Sequence, residues 1–374
     1  MTARLPLNRQ YDIFCKVVDN FGDIGVCWRL ARQLVDEHNV SVRLWVDDQA
    51  LATRFAGDDH DGIQLHHWTE RADFGQAATV VIETFSCGLP ESYQSAMFVA
   101  QSLWLNIDYL SAEDWVEDFH GKPSPQANGL IRWFFYPGFT LRTGGLLREV
   151  SLPGLQADAA MQADAFWQHL GCTPAATGQM TLSLFCYAHA PLAALLQAFA
   201  HSPQPIRLLL PDSIAPMVAN VLSLAVLRAG QRVQHGACEI CVIPFLSQPD
   251  YDRLLSLCDV NFVRGEDSWV RAIWAGKPMV WLPYQQTDET HLQKLAAFLR
   301  HYLALAKPEV AAVIQDMMQA WANGSFECAH WAAFTSHYSE VSRHSMLVAS
   351  QLAKTADLVT NMVIFIEKLQ ENRV

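Results

Sequence analysis

Apolar and polar positions alternate along this chain in two registers, and the switches between them mark its elements. Tyr11–Val18 is rich in β-branched and aromatic residues and reads as a strand. From Asp23 the period changes. Ile24, Cys27, Trp28, Ala31, Leu34 and Val35 follow the three-and-four spacing of one helix face. Val42–Val46, Thr79–Ile82 and Ser102–Ile107 predict further strands. Strand–helix–strand alternation of this kind predicts a parallel sheet covered on both sides. Glu117–Gly129 is polar and contains Pro and Gly, and Tyr136–Gly145 is rich in Gly; both are expected to be irregular.

The alternation restarts after Gly171–Gly178, whose small residues, Pro and Gly predict a linker. Leu182–Tyr187, Ile206–Leu210, Glu239–Ile243, Val260–Val263 and Pro278–Leu282 read as strands. Pro191–Ala200 and Ser213–Ala229 read as helices, and Ser268–Ala275 as a short helix ended by Gly276. From about Thr290 the chain is mostly helical, over Leu292–Ala306, Pro308–Ala322 and Met346–Gln370. The expected fold class is therefore α/β. Residues 1–170 form a first Rossmann-like domain, 171–180 a linker and 181–345 a second Rossmann-like domain. Two such halves facing a cleft, with a helical tail, resemble the GT-B glycosyltransferase plan. That resemblance implies that the tail, 346–374, packs back toward the first domain.

Bulk composition agrees with two compact domains. At 374 residues the chain is long for one core, and 51% of it is hydrophobic against 17% charged. The net charge of -12 argues against a nucleic-acid surface, which needs a basic footprint, and suits a cationic partner. Met1–Gln10 lacks the apolar core of a signal peptide, and no apolar run reaches the length of a membrane span. A cytoplasmic protein with no membrane partner is expected. The nine cysteines lie mostly in apolar runs, as buried thiols do in a reducing compartment. Cys238-Glu239-Ile240-Cys241 has no second pair to complete a zinc site.

Two acidic segments stand where a strand passes into a helix. The first is Val17-Val18-Asp19-Asn20-Phe21-Gly22-Asp23-Ile24-Gly25, the second Phe262-Val263-Arg264-Gly265-Glu266-Asp267-Ser268. Ligands of open α/β sheets sit beyond the carboxyl ends of the strands, so the pair predicts a site between two domains. Gly22 and Gly25 permit a tight turn and close approach. Asp23 is placed to cap the helix, and both capping and catalysis are open for it. Asp19 is not needed for a cap, so the pair favours function. The rival is a nicotinamide-binding fingerprint, because Asp47 and Asp48 follow the second strand roughly 20 residues on. The three-glycine pattern is absent, however, and an acid lies where a pyrophosphate would approach.

In the second segment Asp267 or Ser268 suits a helix N-cap, and the N–H groups of such a helix start bind anions. Arg264 carries the forked donors suited to phosphate, and Glu266 can accept hydrogen bonds from sugar hydroxyls. Phe185, Tyr187, Phe245 and Tyr251 are candidates to stack on a base, although each alone also reads as core. Gln248, in Ser247-Gln248-Pro249, is expected in a loop with its amide available to a base. Together these groups would hold a nucleotide diphosphate without a metal.

These residues resemble one family, the EarP protein-arginine rhamnosyltransferases of bacterial elongation factor P. The similarity starts at Asp12-Ile13-Phe14-Cys15-Lys16-Val17-Val18-Asp19-Asn20-Phe21-Gly22-Asp23-Ile24-Gly25-Val26-Cys27-Trp28-Arg29-Leu30. It continues through Tyr136-Pro137-Gly138-Phe139 to Val263–Ser268 and the helix beyond, nearly the whole chain. The resemblance implies an inverting enzyme that uses dTDP-β-L-rhamnose and needs no metal or other cofactor. Its acceptor would be an arginine guanidinium of elongation factor P, activated in this way to rescue ribosomes stalled at polyproline. The family's two N-domain aspartates match Asp19 and Asp23. Its nucleotide-sugar residues match Arg264, Glu266, Asp267 and Ser268, with Gly22 grouped beside them. Its base pocket matches Phe185, Tyr187, Gln248 and Tyr251, the last standing where the family often has Phe. Asp23 is assigned the role of base and Asp19 that of orienting the acceptor, although the two could share the work. Two alternatives stay open: a GT-B enzyme with a small-molecule or lipid-linked acceptor, and a non-enzymatic nucleotide-binding or interaction protein.

Overall fold

The computed structural model describes residues 9–19, 21–56, 61–225, 227–286 and 289–372. They form two compact units, Met1–Val150 with Ala353–Val374 and Ser151–Leu352. In the first, β1 (Arg9–Cys15), α1 (Gly22–His38), β2 (Val40–Val46), α2 (Gln49–Ala56) and β3 (Ile63–His67) are followed by β4 (Val80–Thr84) and α3 (Glu91–Ala100). Then come β5 (Leu103–Ile107), α4 (Trp115–Phe119), β6 (Pro123–Pro125) and β7 (Ile131–Phe135). The sheet order is β3-β2-β1-β4-β5-β7-β6, parallel throughout except for the β6–β7 pair. Side chains alternate across β1 as the pleat requires. Tyr11, Ile13 and Cys15 pack with Ile24, Cys27, Leu30 and Leu34 of α1. Phe14 points the other way, into Trp45, Trp68, Phe74 and Tyr93. Asp12 shares that second face, where Arg43 grips its carboxylate with two donors and Tyr93 adds its hydroxyl.

The strand ends at Cys15, short of Val18, for a visible reason. Beyond it the main-chain N–H of Val17 goes to Asp47 Oδ1 at 2.9 Å, and that of Val18 to Asp23 Oδ2 at 2.7 Å. The chain has left the ladder and its donors are taken by side chains.

The second unit runs α5 (Leu152–Met161), α6 (Ala163–His169), β8 (Met180–Leu184), α7 (Leu192–Ala200), β9 (Ile206–Pro211), α8 (Ala215–Val221), β10 (Arg232–His235) and β11 (Cys238–Ile243). It continues with α9 (Gln248–Leu257), β12 (Val260–Arg264), α10 (Asp267–Ala275), β13 (Met279–Leu282), α11 (Thr290–Tyr302), α12 (Pro308–Asn323), α13 (Cys328–Ser336) and α14 (Tyr338–Leu352). Its sheet order is β10-β11-β9-β8-β12-β13, with only β10 antiparallel. Residues 151–170 group with this unit, because Phe166, Trp167 and Leu170 bury against Leu209, Cys241 and Leu254. The division thus falls at Val150 rather than in the 171–180 segment.

Several predicted elements change shape. The helix expected over Ser213–Ala229 is α8 alone. It stops where Ser223 turns left-handed (φ 54°) and Leu224 N–H closes back on Ala219 O at 2.8 Å. Met346–Gln370 is not one helix: α14 ends at Leu352, and a last helix, α15 (Leu358–Glu371), begins after a break and belongs to the first unit. Within Glu117–Gly129 lie the end of α4 and the short edge strand β6. Gln248 is not in a loop but opens α9 and is buried. Among the described residues no helix is long and apolar enough to cross a membrane.

Asp357 ties α15 into place. Its Oδ1 accepts the N–H groups of Val359 and Thr360 at 2.9 and 3.1 Å, capping the helix, and the Gln33 amide of α1 at 2.9 Å. Leu358, Val359, Met362 and Ile366 then fill the same core as α1. Asp357→Ala removes the cap and leaves a buried amide of Gln33 one partner short. The expected loss of stability is about 1–3 kcal/mol, measured by urea unfolding.

Candidate functional site

Among the parallel strands of each sheet the order reverses once, between β1 and β4 and between β8 and β12. Connections run to opposite sides at such a point and leave a crevice beyond the strand ends. The residues singled out from the sequence lie at these two places, Asp19, Gly22 and Asp23 after β1, and the remainder around β8, α9, β12 and α10.

At the first, Asp23 sits in the first turn of α1 and is 2% exposed. It does not cap the helix. Phe21 is the N-cap residue, without a side-chain bond, and Asp23 Oδ2 instead accepts from Val18 N and Asp19 N at 2.7 and 2.8 Å. The carboxylate therefore fastens the loop before the helix. Burial raises its pKa above the ordinary aspartate value. The two N–H groups pull it back, the Asp19 charge pushes it up again, and the Tyr109 hydroxyl lowers it. At Gly22 the backbone passes close to Asp19, where a Cβ would meet Asp19 Oδ2 at 3.0 Å and push the end of that side chain aside. Asp47 and Asp48, the acids of the nicotinamide alternative, do structural work: Asp47 takes Val17 N–H and Asp48 takes Leu51 N–H at the start of α2.

Sequence reading missed Tyr109, whose hydroxyl stands 3.3 Å from Asp23 Oδ1, and Phe85, whose ring stacks on Tyr109 at 4.3 Å. Phe85 and Ser86 are left-handed at φ 56° and 52°, directly after β4. Two successive non-glycine residues in that region mark a strained turn, of the kind found at functional sites. No local pattern announces them, because neither residue type favours that conformation.

At the second crevice Arg264 ends β12. Its guanidinium carbon lies 4.1 Å from the Phe185 ring centroid and 4.5 Å from that of Tyr187, and Nη1 donates to Cys186 O at 3.1 Å. Phe185 and Tyr187 follow β8, so the reversal of strand order brings the cation and both rings together. Gly265 (φ 58°) makes the turn, and the Trp281 indole N–H donates to its carbonyl at 2.8 Å. Glu266 is the N-cap residue of α10 and makes no side-chain bond to the helix end. Ser268 is buried. Its Oγ accepts from Arg264 N at 3.0 Å and donates to Arg264 O, so it fixes the turn that carries the arginine.

Gln248 and Tyr251 share the first turn of α9, and Tyr251 lies edge-on to Phe185 at 6.4 Å. Burial raises the Tyr251 hydroxyl pKa, as does the Asp267 charge. A buried, two-pronged ion pair clamps α9 to α10: Arg271 Nε and Nη2 reach Asp252 Oδ1 and Oδ2 at 2.9 and 2.8 Å. Cys238 and Cys241 lie three apart on β11, where the pleat turns them to opposite faces. Among the described residues no group of three or more His, Cys, Asp or Glu is arranged to hold a metal ion.

Residues 11–367 match the family described as elongation-factor P (EF-P) rhamnosyltransferase EarP. The chain is 45% identical to the protein-arginine rhamnosyltransferase of Pseudomonas putida, over 95% of its own length and 98% of that protein's. It superposes with a TM-score of 0.72 on a solved structure concerned with EarP-mediated arginine glycosylation of translation elongation factor EF-P. That match has 36% identity and covers 96% of this chain and 99% of the other. Acinetobacter baumannii MurG, 12% identical, shares the fold with a TM-score of 0.52 over 96% of this chain and 99% of its own. The two-sheet architecture is the GT-B glycosyltransferase fold, and the chain belongs to the EarP family of elongation-factor P rhamnosyltransferases.

Proposed function

We propose that this chain transfers L-rhamnose from dTDP-β-L-rhamnose to an arginine guanidinium of elongation factor P, with inversion to α-rhamnosyl arginine. The modification activates that factor for rescue of ribosomes stalled at polyproline. A cytoplasmic location fits an acceptor that is a translation factor, and it fits nine cysteines present as free thiols.

The observation that carries the chemical reading is Asp23, a buried carboxylate at a topological switch point, beside Asp19 and with a raised proton affinity. A guanidinium has a pKa of about 12.5–13.8 and is a poor nucleophile while protonated. Two carboxylates hold it by charge-assisted hydrogen bonds. As its nitrogen bonds to the anomeric carbon, that nitrogen becomes acidic, and Asp23 takes its proton. The bond from the anomeric carbon to the phosphate oxygen breaks in the same displacement, and the electron pair leaves on dTDP. Arg264 and the N–H groups at the start of α10 stabilise that departing charge. Glu266 accepts from rhamnose hydroxyls, while Phe185, Tyr187, Gln248 and Tyr251 provide stacking faces and an amide for the base. Asp267 completes the donor set, and Ser268 contributes by holding Arg264.

Incubation of the protein with elongation factor P and dTDP-rhamnose should add one deoxyhexose mass to a single arginine. Donor binding without that gain would favour a small-molecule or lipid-linked acceptor; neither binding nor gain would leave a non-enzymatic protein. Asp23→Asn should abolish transfer with donor affinity nearly unchanged, and normal turnover in that variant would overturn the assignment of the base.

The same variant has a stability signature. A raised aspartate pKa stabilises the fold below the unfolded value near 3.9, and that contribution is lost as pH rises through the raised value. At pH 7 the buried charge is a cost, and Asn keeps an acceptor for the Val18 and Asp19 N–H groups. Asp23→Asn should melt higher than the parent at pH 7 and lose that advantage toward pH 3, followed by calorimetry. On the donor side, Arg264→Lys replaces a flat, stacked fork by a point charge. It should weaken dTDP-rhamnose binding roughly 10-fold or more by titration calorimetry, and Glu266→Ala should weaken it as well.

A further inference from the structure

We infer that Tyr109, backed by Phe85, is a positioning residue for the transfer reaction, its hydroxyl fixing the orientation of the Asp23 carboxylate. The inference rests on the reading of Asp23 as the proton acceptor. The two oxygens of Asp23 have different surroundings. Oδ2 is filled by the N–H groups of Val18 and Asp19 at 2.7 and 2.8 Å. Oδ1, turned away from them, meets the Tyr109 hydroxyl at 3.3 Å. With one oxygen held by main chain and the other by a phenol, the carboxylate cannot rotate freely, and a base held in one orientation loses less on reaching the transition state.

Tyr109 is itself held at its ring and at its main chain. Its ring lies on Phe85, 4.3 Å away and within 14° of parallel. Its own N–H donates to Asp108 Oδ1 at 2.8 Å. Asp108 Oδ2 meets Asn106 Nδ2 at 3.4 Å, and Asn106 Oδ1 in turn accepts from Ser86 N at 3.0 Å and Ser86 Oγ at 3.3 Å. Phe85 N–H closes on Ile107 O at 2.7 Å. The ends of β4 and β5 are thereby laced together, and the lacing maintains Phe85 and Ser86 at φ 56° and 52°. The strained pair sits where it delivers the Phe85 ring beneath Tyr109. Tyr109 as a residue remains 37% exposed.

The charged and titratable groups around Asp23 are Asp19 on its own loop, Cys15 on β1 and Tyr109 beyond β5. Asp19 disfavours the ionised form of Asp23 and Tyr109 favours it. Loss of the hydroxyl therefore makes Asp23 easier to protonate, and the acid limb of activity moves to higher pH.

Tyr109→Phe keeps the stacked ring and removes only the hydroxyl. Measured with elongation factor P and dTDP-rhamnose, kcat should fall roughly 10-fold. KM for the donor should be unchanged, and the acid limb of kcat/KM should move upward in pH. Wild-type kcat with a wild-type acid limb overturns the inference. So does a lower kcat with the acid limb unmoved, which is the behaviour of a packing defect. Asp23→Asn, assayed in parallel, separates the two readings. Normal turnover there overturns the role of Asp23 itself. Lost turnover there beside an unaffected Tyr109→Phe overturns only the role of Tyr109.

Discussion

Where β1 leaves its sheet, two main-chain N–H groups lose their ladder partners, and one buried carboxylate takes both. That interaction between Asp23 and the N–H groups of Val18 and Asp19 sets the shape of the first site. It is a costly arrangement, because a charge is kept out of water by the same packing that orients it. A neutral side chain with an acceptor would hold the loop at lower cost. Under the proposed mechanism the acid serves for its proton affinity, which burial raises.

The second unit solves a related problem with opposite charge. Arg264 stands at a strand end, and aromatic faces do the holding. Phe185 and Tyr187 contact the guanidinium without consuming its donors, while Cys186 O takes one. Ser268 locks the main chain of that residue from within the next helix. Behind them the Arg271–Asp252 pair keeps α9 against α10. Such a pair adds little net stability over apolar packing, yet removing one member leaves an uncompensated buried charge. Its value here is geometric, since it sets where Gln248 and Tyr251 lie.

Much of this was legible in the chain. Strands buried on both faces are near-continuous apolar runs, so β1, β2, β4, β5, β8, β9, β11, β12 and β13 all announced themselves. Four of the described strands escaped: β7, an interior strand between β5 and β6, and three edge strands. β3, β6 and β10 carry polar residues because one side of each meets solvent, and that mixed pattern reads as loop. Helix ends were overrun where the stop signal was not Gly or Pro. Ser223 ends α8 in a conformation its residue type does not advertise, and the break before α15 depends on Asp357 finding Gln33 as well as its own helix.

The same distinction holds for chemistry. Strand-end position and residue type were enough to mark Asp19, Asp23, Arg264 and Glu266 as candidates, because both are local properties. The partners of these groups are not local. Tyr109 reaches Asp23 across 86 positions, and Arg264 meets Cys186 across 78, through parallel-strand orders that reverse at one point in each sheet. Whether Asp23 is a cap or a loop anchor, and whether Ser268 faces a ligand or the turn behind it, depends on distances of about 3 Å. Periodicity places a residue on a face of its element. Only the packing of strands far apart in sequence decides which atom that residue meets.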